Sequence, residues 1–187
     1  SGSLTSRTNV PAVTLTLGAV VSLDRSSGPP GTSLKVSGSG FRPGESVVVT
    51  IGDDLGEAVV SADAQGAWTV DRQVPSSASG RIVISATGAD GRWIETDFTV
   101  RAAVSLSQAS GPPGYSVTIE GTGFRANADG ISIKFGNTVV DSASANAQGS
   151  WTSTFTVPPS PAGNYTLDVS GTSPPLQVPF SVTPAIS

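Results

Sequence analysis

The sequence contains no cysteine, no histidine and no methionine. The absence of cysteine excludes disulfide bonds, a thiolate nucleophile and thiolate metal sites. The absence of histidine removes the usual general base near neutral pH and the commonest imidazole ligand. Serine and threonine are abundant, but neither a Ser-x-x-Lys pattern nor a paired set of carboxylates accompanies them. We therefore expect no enzymatic activity and no catalytic residues.

Positive charge and long apolar runs are also scarce. The chain has 10 Lys and Arg against 14 Asp and Glu, which gives a net charge of −4, and the basic residues form no contiguous block. A nucleic-acid partner is therefore not expected. The longest valine-rich run, SVVVTI, has the length of a strand, so membrane insertion is not expected either. Acidic loops at Asp53, Asp54 and Glu57, and at Asp129, lack the ordered oxygen ligands of a calcium site, which predicts neither metal nor cofactor.

Glycine and proline, by contrast, are frequent and mark a sequence that occurs twice. Residues 27–41 read SGPPGTSLKVSGSGF and residues 110–124 read SGPPGYSVTIEGTGF, an offset of 83 positions (110 − 27). The turn DAQGAW that ends at Trp68 returns as NAQGSW, which ends at Trp151, at the same offset (151 − 68). A period of this length indicates tandem domains. We predict repeat 1 over residues 19–101 and repeat 2 over residues 102–187.

The first 18 residues admit two interpretations. At the repeat offset, Leu15 and Leu17 align with Phe98 and Val100, which end repeat 1. Residues 1–18 are therefore either the tail of a preceding repeat or an extra edge strand of repeat 1.

Alternation of apolar and polar residues predicts an all-β fold with two tandem immunoglobulin-like β-sandwich domains of about seven antiparallel strands each. The strands are joined directly, without intervening helices, which favours antiparallel pairing. The predicted core contains one set of aromatic residues in each repeat: Phe41, Trp68 and Phe98, and Phe124, Trp151 and Phe180.

The glycine–proline corner, the GSGF and GTGF segments, the valine-rich strand, the Asp/Asn-x-x-Gly-x-Trp turn and the Val-Pro pair together resemble IPT/TIG-like bacterial immunoglobulin-like repeats. The resemblance covers nearly the whole of both copies. It implies a module of a cell-surface or secreted protein, with an extracellular location. It also implies stalk, spacer or adhesive roles, or an accessory role beside a catalytic domain.

Trp93 does not follow the repeat, because repeat 2 has Pro175 and Leu176 in that region. Its parity places it with Glu95 and Asp97, opposite Ile94 and Phe98. An exposed tryptophan contributes a large contact area and a polar N–H, so Trp93, Glu95 and Asp97 are candidate ligand-binding residues. The alternatives are that Trp93 covers an edge strand or packs on a neighbouring domain.

Three functions are compatible with these observations. The first is a non-catalytic extracellular structural or adhesive repeat module that acts as a spacer or stalk. The second is a carbohydrate- or protein-binding module with its site near Trp93. The third is an accessory domain of a secreted polysaccharide-active enzyme. The expected partners are neighbouring repeats of the same parent chain and a cell-surface protein or polysaccharide.

Overall fold

A computed structural model of the chain describes residues 18–52 and 56–184. The interpretation of residues 1–18 therefore falls outside the described residues except at Gly18, and so do the loop acids Asp53 and Asp54. Within the described ranges the regular structure consists of strands. No helix there has the length and apolar character needed to cross a membrane.

Each repeat contains eight strands in the same order. Repeat 1 has β1 (Val20–Leu23), β2 (Ser27–Gly28), β3 (Ser33–Ser39), β4 (Ser46–Ile51), β5 (Ala58–Ser61), β6 (Trp68–Gln73), β7 (Gly80–Gly88) and β8 (Trp93–Val100). Repeat 2 has β9 (Ala103–Leu106), β10 (Ser110–Gly111), β11 (Ser116–Thr122), β12 (Ile131–Phe135), β13 (Thr138–Ala143), β14 (Trp151–Thr156), β15 (Gly163–Val169) and β16 (Leu176–Val182).

Two sheets form each sandwich. In repeat 1 a three-stranded sheet of order β1-β3-β6 faces a five-stranded sheet of order β2-β8-β7-β4-β5. Repeat 2 reproduces both orders, as β9-β11-β14 and β10-β16-β15-β12-β13. The predicted tandem of immunoglobulin-like sandwiches is confirmed, with seven strands of four or more residues in each repeat and one strand of two residues.

The two-residue strands differ from the predicted antiparallel pairing. Ser27 and Gly28 pair in parallel with Thr99 and Val100, and β10 pairs in the same way with β16. After β1 the chain crosses from the three-stranded sheet to the edge of the five-stranded sheet and keeps its direction. The Pro-Pro pair that follows ends the ladder because proline has no amide donor.

Each core is built around a tryptophan that lies on a glycine of the neighbouring strand. Trp68 is the register partner of Gly38, and Trp151 is the register partner of Gly121. A Cβ added to either glycine would overlap the indole ring. Phe41 packs edge-to-face on Trp68 with ring centroids 5.8 Å apart, and Phe124 packs on Trp151 at 5.4 Å. All six predicted aromatic core residues are buried.

The repeats differ in their loops and at one edge. The loop after Phe124 is one residue longer than the loop after Phe41 and contains Asn127 in the left-handed region, at a φ of 53°. The pairing of β12 with β13 also shifts register between Ile133 and Lys134, whereas the pairing of β4 with β5 is continuous. Both changes leave the inward-facing residues of the two sandwiches in equivalent places.

A direct backbone contact joins the two repeats. The Ser79 amide, in the turn before β7, donates to the Phe124 carbonyl at 2.9 Å. Gly123 lies beside it at a φ of +65°, and a Cβ there would lie 2.9 Å from Cδ of Pro30 in repeat 1. The glycine therefore permits the close approach of the two repeats at this junction.

We expect Gly38→Ala and Gly121→Ala each to destabilise the repeat that carries it. The added methyl forces the indole out of its place, and overpacking of this kind costs about 1–3 kcal/mol. Denaturant unfolding followed by tryptophan fluorescence measures the change. Gly18→Ala is the control, because a Cβ at that position meets no atom within 4 Å. Equal stabilities of Gly38→Ala and Gly18→Ala would contradict the proposed close packing.

Candidate binding surface

Trp93 begins β8 on the outward face of the five-stranded sheet of repeat 1. Its side chain is 60% exposed, whereas Phe98 and Val100 on the opposite face of the same strand are buried. Glu95 and Asp97 are also exposed and share the face of Trp93. The structure thus places the three candidate ligand-binding residues together along one strand.

The register of the sheet extends this surface across three further strands. Trp93 is opposite Thr87 on β7, Thr87 is opposite Val48 on β4, and Val48 is opposite Val59 on β5. Register partners share a face, so these four side chains form one line, which we call the Trp93 row. With strands about 4.8 Å apart, the row spans about 14 Å. Val59 at its far end is 67% exposed.

A polar row lies beside the Trp93 row. Glu95 is opposite Ser85, and Ser85 is opposite Thr50, whose hydroxyl lies 2.6 Å from that of Ser85. Further along β8, Asp97 accepts a hydrogen bond from Nε of Arg81 at 2.5 Å. Among the described residues no cation pairs with Glu95. The face therefore combines an apolar line, a line of hydroxyl groups and an unpaired carboxylate.

Sequence reasoning identified β8 but missed the rest of the Trp93 row. Val48, Thr87 and Val59 lie on three different strands, and their adjacency to Trp93 follows from the register. The parity of the valine-rich strand was the available signal. Val47 and Val49 are buried, which requires Val48 between them to point outward.

Repeat 2 has serine at three of the four positions of the Trp93 row, and Pro175 lies in the region of Trp93 itself. Ser132, Ser142 and Ser170 occupy the positions of Val48, Val59 and Thr87. Ser132 is opposite Ser142, and its amide donates to Oγ of Ser170 at 2.7 Å. The two sandwiches share a core, whereas the corresponding outer surfaces differ in chemistry.

The described residues place no group of three or more acidic, histidine or cysteine side chains in a metal-binding arrangement. The Asp63 and Asn146 side chains instead accept hydrogen bonds within their own turns. Oδ1 of Asp63 accepts from the amides of Gln65 and Ala67 at 2.8 and 2.9 Å. These turns are thus stabilised by side chain–backbone bonds of the kind that Asx residues form.

We expect Trp93 to account for the solvent-accessible part of the tryptophan fluorescence, since Trp68 and Trp151 are each only 5% exposed. Trp93→Phe should remove most of the emission that acrylamide quenches and change the free energy of unfolding by no more than about 0.5 kcal/mol. Stern–Volmer plots of the two proteins measure the first effect. Quenching that is unchanged in the variant would show that Trp93 is covered.

Comparisons with known proteins bear on the fold. The family model of the IPT/TIG domain matches residues 103–183. No curated protein matches the sequence. Among solved structures, invasin, a bacterial integrin-binding protein, is 14% identical at a TM-score of 0.42, with 91% of this chain and 40% of that chain covered. The Yersinia pseudotuberculosis adhesin InvE is 14% identical at a TM-score of 0.40, with 88% and 58% covered.

A third solved structure is the Bacteroides ovatus protein SGBP-B in complex with a mixed-linkage heptasaccharide, which is 19% identical at a TM-score of 0.34. The alignment covers 86% of this chain and 43% of that one, so the chain spans less than two thirds of each of these three structures. Repeat 1 has the strand order of repeat 2, to which the family model applies. The chain consists of two immunoglobulin-like β-sandwich domains of the same strand order, and the second of them matches the IPT/TIG domain model.

Proposed function

We propose that the chain is a non-catalytic structural and adhesive module of an extracellular protein. Repeat 1 presents the Trp93 row to a partner, and repeat 2 acts as a spacer. The observation that carries this proposal is the difference between the Trp93 row and its serine counterpart in repeat 2. A non-catalytic role is further supported by a sequence without histidine or cysteine.

The adhesive role is argued from the exposure of apolar side chains. Keeping tryptophan and valine in water is unfavourable, and a partner that covers the Trp93 row recovers that free energy. Tryptophan contributes most at the centres of interfaces, where it combines a large area with an N–H donor. Glu95 and the adjacent hydroxyl row supply hydrogen-bonding groups at the margin of the same surface. The proposed partner is a protein or a polysaccharide at a cell surface.

The spacer role is argued from the junction. Only Arg101 and Ala102 lie between the end of β8 and the start of β9. The hydrogen bond from Ser79 to Phe124 joins the two repeats beside this connection. A connection of this length limits the orientations that the two repeats can adopt. We propose that the repeats hold neighbouring parts of the parent chain at a defined separation, with further repeats as neighbours.

Titration of the chain with cell-wall and plant polysaccharides and with intact bacterial cells tests the adhesive role. We expect one of these partners to quench the tryptophan fluorescence of the intact chain in a saturable way. Trp93→Ala should lose that binding, and co-sedimentation of the unlabelled variant with the insoluble partner measures the loss. The matched control is Val139→Ala, which removes a 58% exposed valine from repeat 2.

Two outcomes would contradict the adhesive role. One is the absence of binding across the panel by the folded chain. The other is equal binding by the Trp93→Ala and Val139→Ala variants, which would place the contact elsewhere. Either result would leave only the spacer role.

A further inference from the structure

A cleft of about 580 Å³ lies where the two repeats meet. Arg101, at the end of repeat 1, and Arg125, just after Phe124 in repeat 2, both line it. Its other walls include hydroxyl side chains from both repeats, Ser79 and Thr99 on one side and Ser173 on the other. The cleft exists only because the repeats dock, and it falls within the size range of small-ligand sites.

Repeat 1 contains an arginine at the position equivalent to Arg125, and the surroundings of the two side chains can be compared. This arginine is Arg42, at the offset of 83 (125 − 42). One carboxylate lies near the Arg42 guanidinium, and a second accepts the Arg42 backbone amide. Oδ2 of Asp90 lies 3.5 Å from the Arg42 guanidinium. Oε2 of Glu45 accepts the Arg42 amide at 2.8 Å, and the Glu45 side chain is buried in the same loop.

Asp90 remains ionised well into the acidic range. The amide of Arg92 donates to its carboxylate at 3.0 Å, and the nearby charges of Arg92 and Arg42 add to this effect. These contacts outweigh the effect of burial and hold the pKa of Asp90 below the ordinary value of an aspartate. The charge of Arg42 is therefore compensated at neutral pH.

Repeat 2 keeps the backbone of this loop and loses both carboxylates. In repeat 1 the Glu45 amide donates to the Arg42 carbonyl, and the Glu45 carbonyl accepts from the Ala62 amide. In repeat 2 the Ala128 amide donates to the Arg125 carbonyl, and the Ala128 carbonyl accepts from the Ala145 amide. Ala128 thus replaces Glu45. At the offset of 83 (173 − 90) the residue is Ser173, and the whole turn at residues 171–175 contains no acidic side chain. The arginine is retained, while repeat 2 lacks both the carboxylate that pairs with the arginine side chain in repeat 1 and the carboxylate that accepts its backbone amide.

A second arginine adds to the charge of the cleft. Arg101 occupies the position of Gly18, at the same offset (101 − 18), so repeat 1 has no equivalent of it. Within residues 18–52 and 56–184, neither Arg101 nor Arg125 forms an ion pair. The chain as a whole carries a net charge of −4, so two uncompensated guanidinium groups in one cleft are a local exception.

We propose that the inter-repeat cleft is a binding site for an anionic saccharide, with Arg101 and Arg125 on its carboxylate or sulfate group. Guanidinium groups bind such oxyanions through paired, charge-assisted hydrogen bonds. The hydroxyls of Ser79, Thr99 and Ser173 complement the hydroxyl groups of a sugar ring, and Leu176 offers an apolar wall to its C–H face. The combination of hydroxyl and apolar side chains in this lining favours a saccharide over an acidic peptide.

This site is separate from the Trp93 row. Trp93 begins β8 and Thr99 lies near its end, about 20 Å away at the rise of an extended strand. The inference therefore goes beyond the proposed function, and the Trp93→Ala variant distinguishes failure of one from failure of the other.

Isothermal titration calorimetry with a galacturonate tetrasaccharide tests the proposal, with a neutral galactose tetrasaccharide and a tetraglutamate peptide as comparison ligands. We expect the intact chain to bind the galacturonate in preference to both. Arg125→Gln should weaken binding about tenfold or more, since it removes hydrogen bonds to a charged group. Ser173→Asp should weaken it comparably, because it restores the acid that neutralises the equivalent arginine in repeat 1.

The matched control is Arg42→Gln, which removes the same charge from the equivalent loop of repeat 1 and should leave the affinity unchanged. Trp93→Ala should also retain binding. The proposal is overturned if the folded chain does not bind the galacturonate, or if Arg125→Gln and Ser173→Asp bind it as the unaltered chain does. It is equally overturned if the neutral saccharide or tetraglutamate binds as tightly.

Discussion

The contact between a tryptophan and a glycine on the neighbouring strand is the constraint around which each sandwich is built. Trp68 can lie flat against β3 only because Gly38 has no side chain, and the same relation holds between Trp151 and Gly121. The indole then fills the space between the sheets and packs edge-to-face with Phe41 in repeat 1 or Phe124 in repeat 2. Because both repeats keep this set, their loops and outer faces can vary without loss of the fold.

The repeated pattern allowed most of the fold to be predicted. Alternation and the repeat predicted two sandwiches of about seven strands, and each repeat has seven strands of four or more residues. The parallel strands at Ser27 and Ser110 were not predictable from alternation, because two residues carry no period. For the candidate surface, parity placed Trp93, Glu95 and Asp97 on one face. The Trp93 row and the arginine cleft depend on cross-strand register and on docking of the repeats, which one-dimensional patterns do not contain.

The comparison of the two repeats separates what the fold requires from what was free to change. Equivalent positions keep three buried aromatic residues per repeat, the turn glycines and even the backbone hydrogen bonds of the loop after the core phenylalanine. Differences concentrate on two surfaces. On one surface, repeat 1 has Val48, Val59 and Thr87 where repeat 2 has serine, and Trp93 has no tryptophan counterpart. On the other, repeat 1 has an arginine paired with a carboxylate, and its counterpart in repeat 2 forms no ion pair among the described residues. A difference of this kind has no effect on the core, which is why we ascribe it to contacts with other molecules.

The most direct test of the adhesive account is site-specific photocrosslinking at two equivalent positions of the intact chain. A benzoylphenylalanine replaces Thr87 beside Trp93 in one variant and Ser170, its counterpart in repeat 2, in the other. Both are exposed to the same bacterial cells and irradiated. The account predicts crosslinks from position 87 that are absent or much weaker from position 170. Equal crosslinking from both positions, or none from position 87, would contradict it.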